Sequence, residues 1–160
     1  MRPLHIARAV ALVAGVWLGT CPGAATGEFT ITLKVQAGQR EQTVTSGKPD
    51  NARPVFQAKV MEGVSVQWSA VNGAPGIALP DVTLHVFMDR AFTSAGAPKP
   101  GPNALYESAV VLDLEPGAKS SGEFRMPMPE SGNYLVRVES IGAARKLGKE
   151  VVAAMQVSVQ

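Results

Sequence analysis

The chain is short of the residues on which most reactive sites are built. It has one cysteine, Cys21, and two histidines, His5 and His85, in 160 residues. Aromatics make up only 6%, which leaves little material for the exposed platforms of sugar-binding modules. Its longest uncharged apolar run is AVALVAGVWL, Ala9–Leu18. A membrane-spanning helix needs about 20 such residues, so no stable transmembrane span is expected. No long segment repeats apolar residues at helical spacing, and no internal repeat is visible.

The first 25 residues stand apart. Arg2, His5 and Arg8 precede the apolar run, and small turn-prone residues follow it in GTCPGAA, Gly19–Ala25. That is the basic, hydrophobic, small-residue order of a secretory signal peptide. Cleavage is expected after Ala25, with Gly27 the next choice. The expected organisation is a signal peptide over 1–25 and one domain over 26–160, and the protein is placed in the periplasm or outside the cell. A second reading keeps the segment. Leu18-Gly19-Thr20-Cys21 resembles a bacterial lipobox, which would make Cys21 a lipid anchor. It departs from that pattern at Thr20, where Gly, Ala or Ser is usual, and at Pro22.

Removing 1–25 changes the electrostatics. Of the 15 Lys and Arg, two lie in that segment, while all 13 Asp and Glu follow it, leaving 13 of each sign. A neutral chain exerts no long-range pull on phosphate backbones, so nucleic acid is not an expected partner. Loss of Cys21 also removes any disulfide, thiolate nucleophile or cysteine-ligated metal. The remaining 135 residues are enough for one hydrophobic core.

Those residues read as short strands. FTITLKV (Phe29–Val35) alternates apolar and polar, as do VSVQWSAV (Val64–Val71), DVTLHVFM (Asp81–Met88) and NYLVRVE (Asn133–Glu139), and Lys149–Val159 reads as a last strand with Val151, Ala153, Met155, Val157 and Val159 on one face. Val55–Val60, Leu105–Leu114 and Glu123–Met128 are further candidates, the last placed at a sheet edge by Pro127 and Pro129. GQREQTVTSGKPDNARP between the first two strands reads as a polar connection, and Asn72-Gly73 is a strong turn signal. Arg90–Ala104, rich in Pro and Gly, reads as a long loop. Gly142–Lys149 reads as a loop that leaves room for one helical turn. Seven to nine short strands without a long helix imply an all-β sandwich or barrel.

The run Glu130, Gly132, Tyr134, Val136 is similar to the corner before the sixth strand of immunoglobulin-like sandwiches. There a tyrosine hydroxyl reaches back to the backbone, two residues before a core cysteine; Val136 stands where that cysteine would be. Leu112–Val138, with EGVSVQWSAVNG and DVTLHVFMD before it, resembles bacterial immunoglobulin-like domains of the CARDB, fibronectin-III-like group. The resemblance spans Glu62–Ser140. It implies an immunoglobulin-like antiparallel β-sandwich with Trp68, Gly132 and Tyr134 as structural residues. It also implies a surface binding or spacer module without catalytic residues.

The candidate sites are few. A Ser-His-Asp triad could be built only around His85, with Asp81 or Asp89 near it, and there is no Gly-x-Ser-x-Gly elbow. Asp113 and Glu115 read as a solvated face rather than a pair of catalytic carboxylates. A blue-copper site needs two His and a Cys, which are absent after residue 25. A methionine-rich copper site remains as the alternative, with His85, Met88, Met126 and Met128 as ligands. Parity favours core filling for the three methionines, which share faces with Leu84, Val86 and Phe124. The candidate binding patch is Thr83, His85, Phe87, Phe92 and Tyr106. Thr83, His85 and Phe87 share the outward parity of one strand, and Phe92 and Tyr106 flank the long loop. The expected function is a non-catalytic module that binds another envelope or extracellular protein, or acts as its accessory subunit. No cofactor is implied.

Overall fold

A computed structural model of the chain describes residues 7–8, 28–47, 53–90 and 98–160. The predicted signal peptide beyond Ala7–Arg8, the Cys21 anchor, the turn around Pro49-Asp50-Asn51 and Phe92 lie outside the described residues.

The fold is an immunoglobulin-like antiparallel β-sandwich. Strands β2 (Phe29–Ala37), β3 (Arg40–Thr45), β5 (Gly63–Asn72) and β8 (Lys119–Pro127) form one sheet in the order β3-β2-β5-β8. The other holds β6 (Leu79–Asp89), β7 (Tyr106–Leu114), β9 (Gly132–Ile141), β10 (Val152–Val159) and β4 (Val55–Ala58), in the order β7-β6-β9-β10-β4. A two-residue strand, β1 (Ala7–Arg8), pairs in parallel along the outer side of β7. β4 also runs parallel to its neighbour, β10; the other ladders are antiparallel.

Alternation decides what fills the space between the sheets. Ile31, Leu33 and Val35 of β2 face Leu84, Val86 and Met88 of β6 and Val136 and Val138 of β9, all with no exposure. Each buried aliphatic side chain of this size contributes about 1.5–3 kcal/mol relative to exposure. β8 is an edge strand, as its prolines imply. Trp68 lies in the core with its indole against the backbone of Gly122, its register partner on β8. A Cβ at Gly122 would sit 2.5 Å from the Trp68 ring, so this close approach requires glycine.

The Tyr134 corner forms. Tyr134 is buried, and its hydroxyl donates to the Glu130 carbonyl at 2.9 Å. Gly132 precedes it at φ 140°, a backbone conformation that side chains rarely adopt.

One connection differs from the sequence reading, and another has a destination that the sequence left open. The polar stretch after β2 contains β3, which pairs Arg40–Thr45 with Thr32–Ala37. Its only buried side chain is Val44, so the hydrophobic pattern carries almost no trace of it. The Asn72-Gly73 turn does not close a hairpin: β5 and β6 lie in different sheets. The Asn72 amide instead donates to the carbonyls of Ile77 (2.7 Å) and Leu114 (2.9 Å), and its oxygen accepts from the Ala74 N–H (3.1 Å). One helical turn, α1 (Ala144–Leu147), occupies the β9–β10 connection and ends on Gly148 at φ 75°. The Glu150 carboxylate accepts from Gly142, Ala143 and Ala144 N–H groups and from the Ser140 hydroxyl, closing that connection.

Candidate functional site: the outward face of the five-stranded sheet

Cross-strand register builds this site. On β6, Thr83, His85 and Phe87 turn away from the core. Their register partners are Val111, Ala109 and Glu107 on β7, and Ile141, Glu139 and Arg137 on β9. His85 therefore sits between two strands that each carry a glutamate within its reach. Its Nε2 lies 3.0 Å from Glu107 Oε1, and its Nδ1 lies 3.2 Å from Glu139 Oε1. Arg137 Nη1 donates to the second oxygen of Glu139. The result is a charged chain across three strands, Glu107–His85–Glu139–Arg137.

The electrostatics follow from those contacts. The hydrogen bond to Glu139 holds the His85 pKa above its ordinary 6.5; burial opposes this, and Glu107 adds to the rise. For Glu139 burial works to raise the pKa, but the hydrogen bonds from His85 and Arg137 outweigh it and hold the carboxyl below its ordinary 4.5. Both partners favour the charged pair.

Beside this chain lies a small apolar cluster on the same outward face: Phe87, Leu135 and Ala154, with Val152 packed against them. Phe87 and Leu135 are fully buried. The Phe87 ring lies 5.5 Å from the imidazole of His85, tilted by 42°.

The structure therefore separates the predicted patch. Thr83 and His85 hold their outward positions, half-buried. Phe87 faces outward as its parity implies but is buried rather than available as a surface aromatic. Tyr106 is a correction: it pairs with Met88 and stacks on Phe124 at 3.7 Å, packed against the core rather than beside His85. Parity along β7 puts Tyr106 on the face opposite to Glu107.

The proposed copper ligands do not converge. Met88 and Met128 are fully buried in the core and Met126 packs against it, whereas His85 occupies the other face of β6. Among the described residues no group of three or more His, Cys, Asp or Glu is placed to hold a metal ion. Among the described residues a triad is not assembled either. Asp81 sits at a bulge of β6, where its N–H donates to Asp113, and Asp89 accepts from the Gly101 N–H at the other end of the strand.

Glu107, Glu139 and Arg137 were not among the residues singled out from the sequence. Outward parity was readable for Arg137 and Glu139, but their meeting with His85 depends on which strands are neighbours.

A second concavity lies on the outward face of the other sheet. It encloses about 470 Å³ and is lined by Thr32, Lys34, Thr43, Gln67, Ser69 and Glu123, among others. Lys34 pairs with Glu41 at 2.6 Å, and the Gln67 amide donates to Glu123 at 3.1 Å. Much of its charge and amide capacity is thus spent internally.

Among the described residues no helix is long and apolar enough to cross a membrane. No family model matches the chain, and no curated protein matches it.

Proposed function

We propose that this chain is an exported, non-catalytic immunoglobulin-like module that binds another protein of the cell envelope or serves as its accessory subunit. One observation carries the reading. Both ring nitrogens of His85 are engaged by carboxylates. A general base needs a free nitrogen within reach of a substrate proton, so this imidazole is a cross-strand clamp. Around it the outward face keeps Thr83 half-buried and Glu107 exposed beside the buried Phe87–Leu135 cluster, polar groups of the kind that rim contact surfaces. The residue order of 1–25 supports export, and the balance of 13 basic against 13 acidic residues beyond it supports a protein partner over nucleic acid.

The test is a crosslinking pull-down of the tagged protein from its own envelope, beside a Glu107→Lys variant. Glu107 is 40% exposed, so the variant changes the face without opening the core. A specific partner captured by the wild type and lost with the variant is the expected result. Equal capture would remove the face from the interface. Absence of any specific partner would overturn the binding reading.

A further inference from the structure

Setting aside the two-residue β1, the two sheets end in four strands, and three of these carry features that blunt an edge. β3 carries Arg40 and Glu41, tied to Glu62 and Lys34. β8 carries Lys119, Glu123 and Arg125 and ends on Pro127. β4 has only four residues. Charges, prolines and short length are the usual means of blunting an edge. β7 lacks them over its centre. Ser108–Leu112 is uncharged and contains neither Pro nor Gly. Among the described residues its outer side meets only β1, opposite Val110 and Val111. That parallel pairing shows that the backbone groups of this edge are turned outward and within reach of a second strand.

We propose that the outer side of β7, once β1 is removed, is a strand-acceptor site for an extended segment of a partner protein whose outward-facing positions read basic, apolar, apolar, basic. The reading rests on the binding-module proposal and adds the chemistry of the partner. In strand addition the main-chain ladder supplies affinity and alternate side chains supply specificity. On the outward face of β7 those positions are Glu107, Ala109, Val111 and Asp113. Two apolar side chains of an incoming strand pack on Ala109 and Val111, and two basic ones meet the flanking carboxylates. A second copy of β7 is disfavoured in its two central registers. Antiparallel pairing about Val110 sets Glu107 against Asp113, and pairing about Val111 sets Glu107 against Glu115; like charges directly opposite disfavour both registers. If 1–25 is removed on export, β1 leaves with it and the edge is open.

The probe is the blocked peptide Lys-Thr-Val-Thr-Val-Thr-Lys, titrated into the ¹⁵N-labelled protein purified from the envelope and into the full chain. Two controls accompany it: the same peptide with Glu for Lys, and one N-methylated at both valines and the threonine between them, which blocks both hydrogen-bonding edges. The expected result is slowed amide exchange confined to β7 and its immediate neighbours, with binding about ten-fold tighter than for the Glu peptide. The N-methylated peptide, unable to extend the ladder, should not bind. Val111→Lys should weaken the probe by about ten-fold or more through repulsion, while Val111→Thr should keep it and both variants should melt near the wild type. Equal binding of the Lys and Glu peptides, protection away from β7, or undiminished binding by Val111→Lys would overturn the proposal. An envelope partner captured equally by Val111→Lys would overturn the edge site and leave the binding-module reading standing. Peptide binding at β7 with no envelope partner would do the reverse.

Discussion

Single residues set several of the constraints on this sandwich. Tyr134 closes its corner with one hydroxyl–carbonyl bond from inside the core. Tyr134→Phe removes the donor and keeps the ring, so a loss of about 1 kcal/mol is expected in urea unfolding. Gly122→Ala should cost more, about 1–3 kcal/mol, because the new methyl meets the Trp68 ring at 2.5 Å. Trp68 is the only tryptophan beyond residue 25, so its fluorescence should report the shift directly. His85 makes stability depend on pH. Its folded pKa lies above the unfolded value of 6.5, so its contribution is complete below about pH 6.5 and fades as pH rises through the folded value. Glu139 is shifted the other way, so its contribution is complete above about pH 4.5 and fades as pH falls through its lowered folded value. The clamp is therefore strongest between those limits. Urea midpoints measured from pH 5 to pH 8 should fall across that range for the wild type, and His85→Gln should flatten the decline. An unchanged slope would remove the clamp as its cause. Tyr134 was readable in sequence because its motif is local. The His85 clamp was not, because its partners are 22 and 54 residues away.

At the scale of elements, connections matter as much as strands. Asn72 is fully buried and holds three backbone groups at the crossing between sheets. Asn72→Ala strands those groups without partners, and a loss of about 3 kcal/mol is expected by chemical denaturation. Asn72→Asp keeps the acceptor for Ala74 but loses both donations, so it should not restore the wild-type value. The Asn-Gly pair was legible as a turn, but its destination was not: hairpin and inter-sheet crossings use similar turn residues. The missed strand β3 has the same origin. A strand with one buried side chain has no amphipathic signature, and what holds it is backbone pairing with β2.

For the whole molecule, most stabilising pairings join strands far apart in the chain, such as β2 with β5 and β6 with β9. Loops must close before these contacts form, so refolding is expected in milliseconds to seconds rather than microseconds. Stopped-flow Trp68 fluorescence would measure this, and a microsecond phase carrying the full amplitude would contradict it. The amino-acid sequence by itself determined that the chain is an all-β fold of short strands, which side chains of β2, β5, β9 and β10 enter the core, and where its tyrosine corner stands. Each of these rests on local alternation or a local motif. Only the tertiary structure decided that Phe87 is buried on the outward side, that Tyr106 belongs to the core, that His85 is clasped by Glu107 and Glu139, and that among the described residues the outer side of β7 meets only β1. A period of two assigns each residue to one of two faces. It does not state what lies beside a strand or over a face, and those neighbours come from distant parts of the chain.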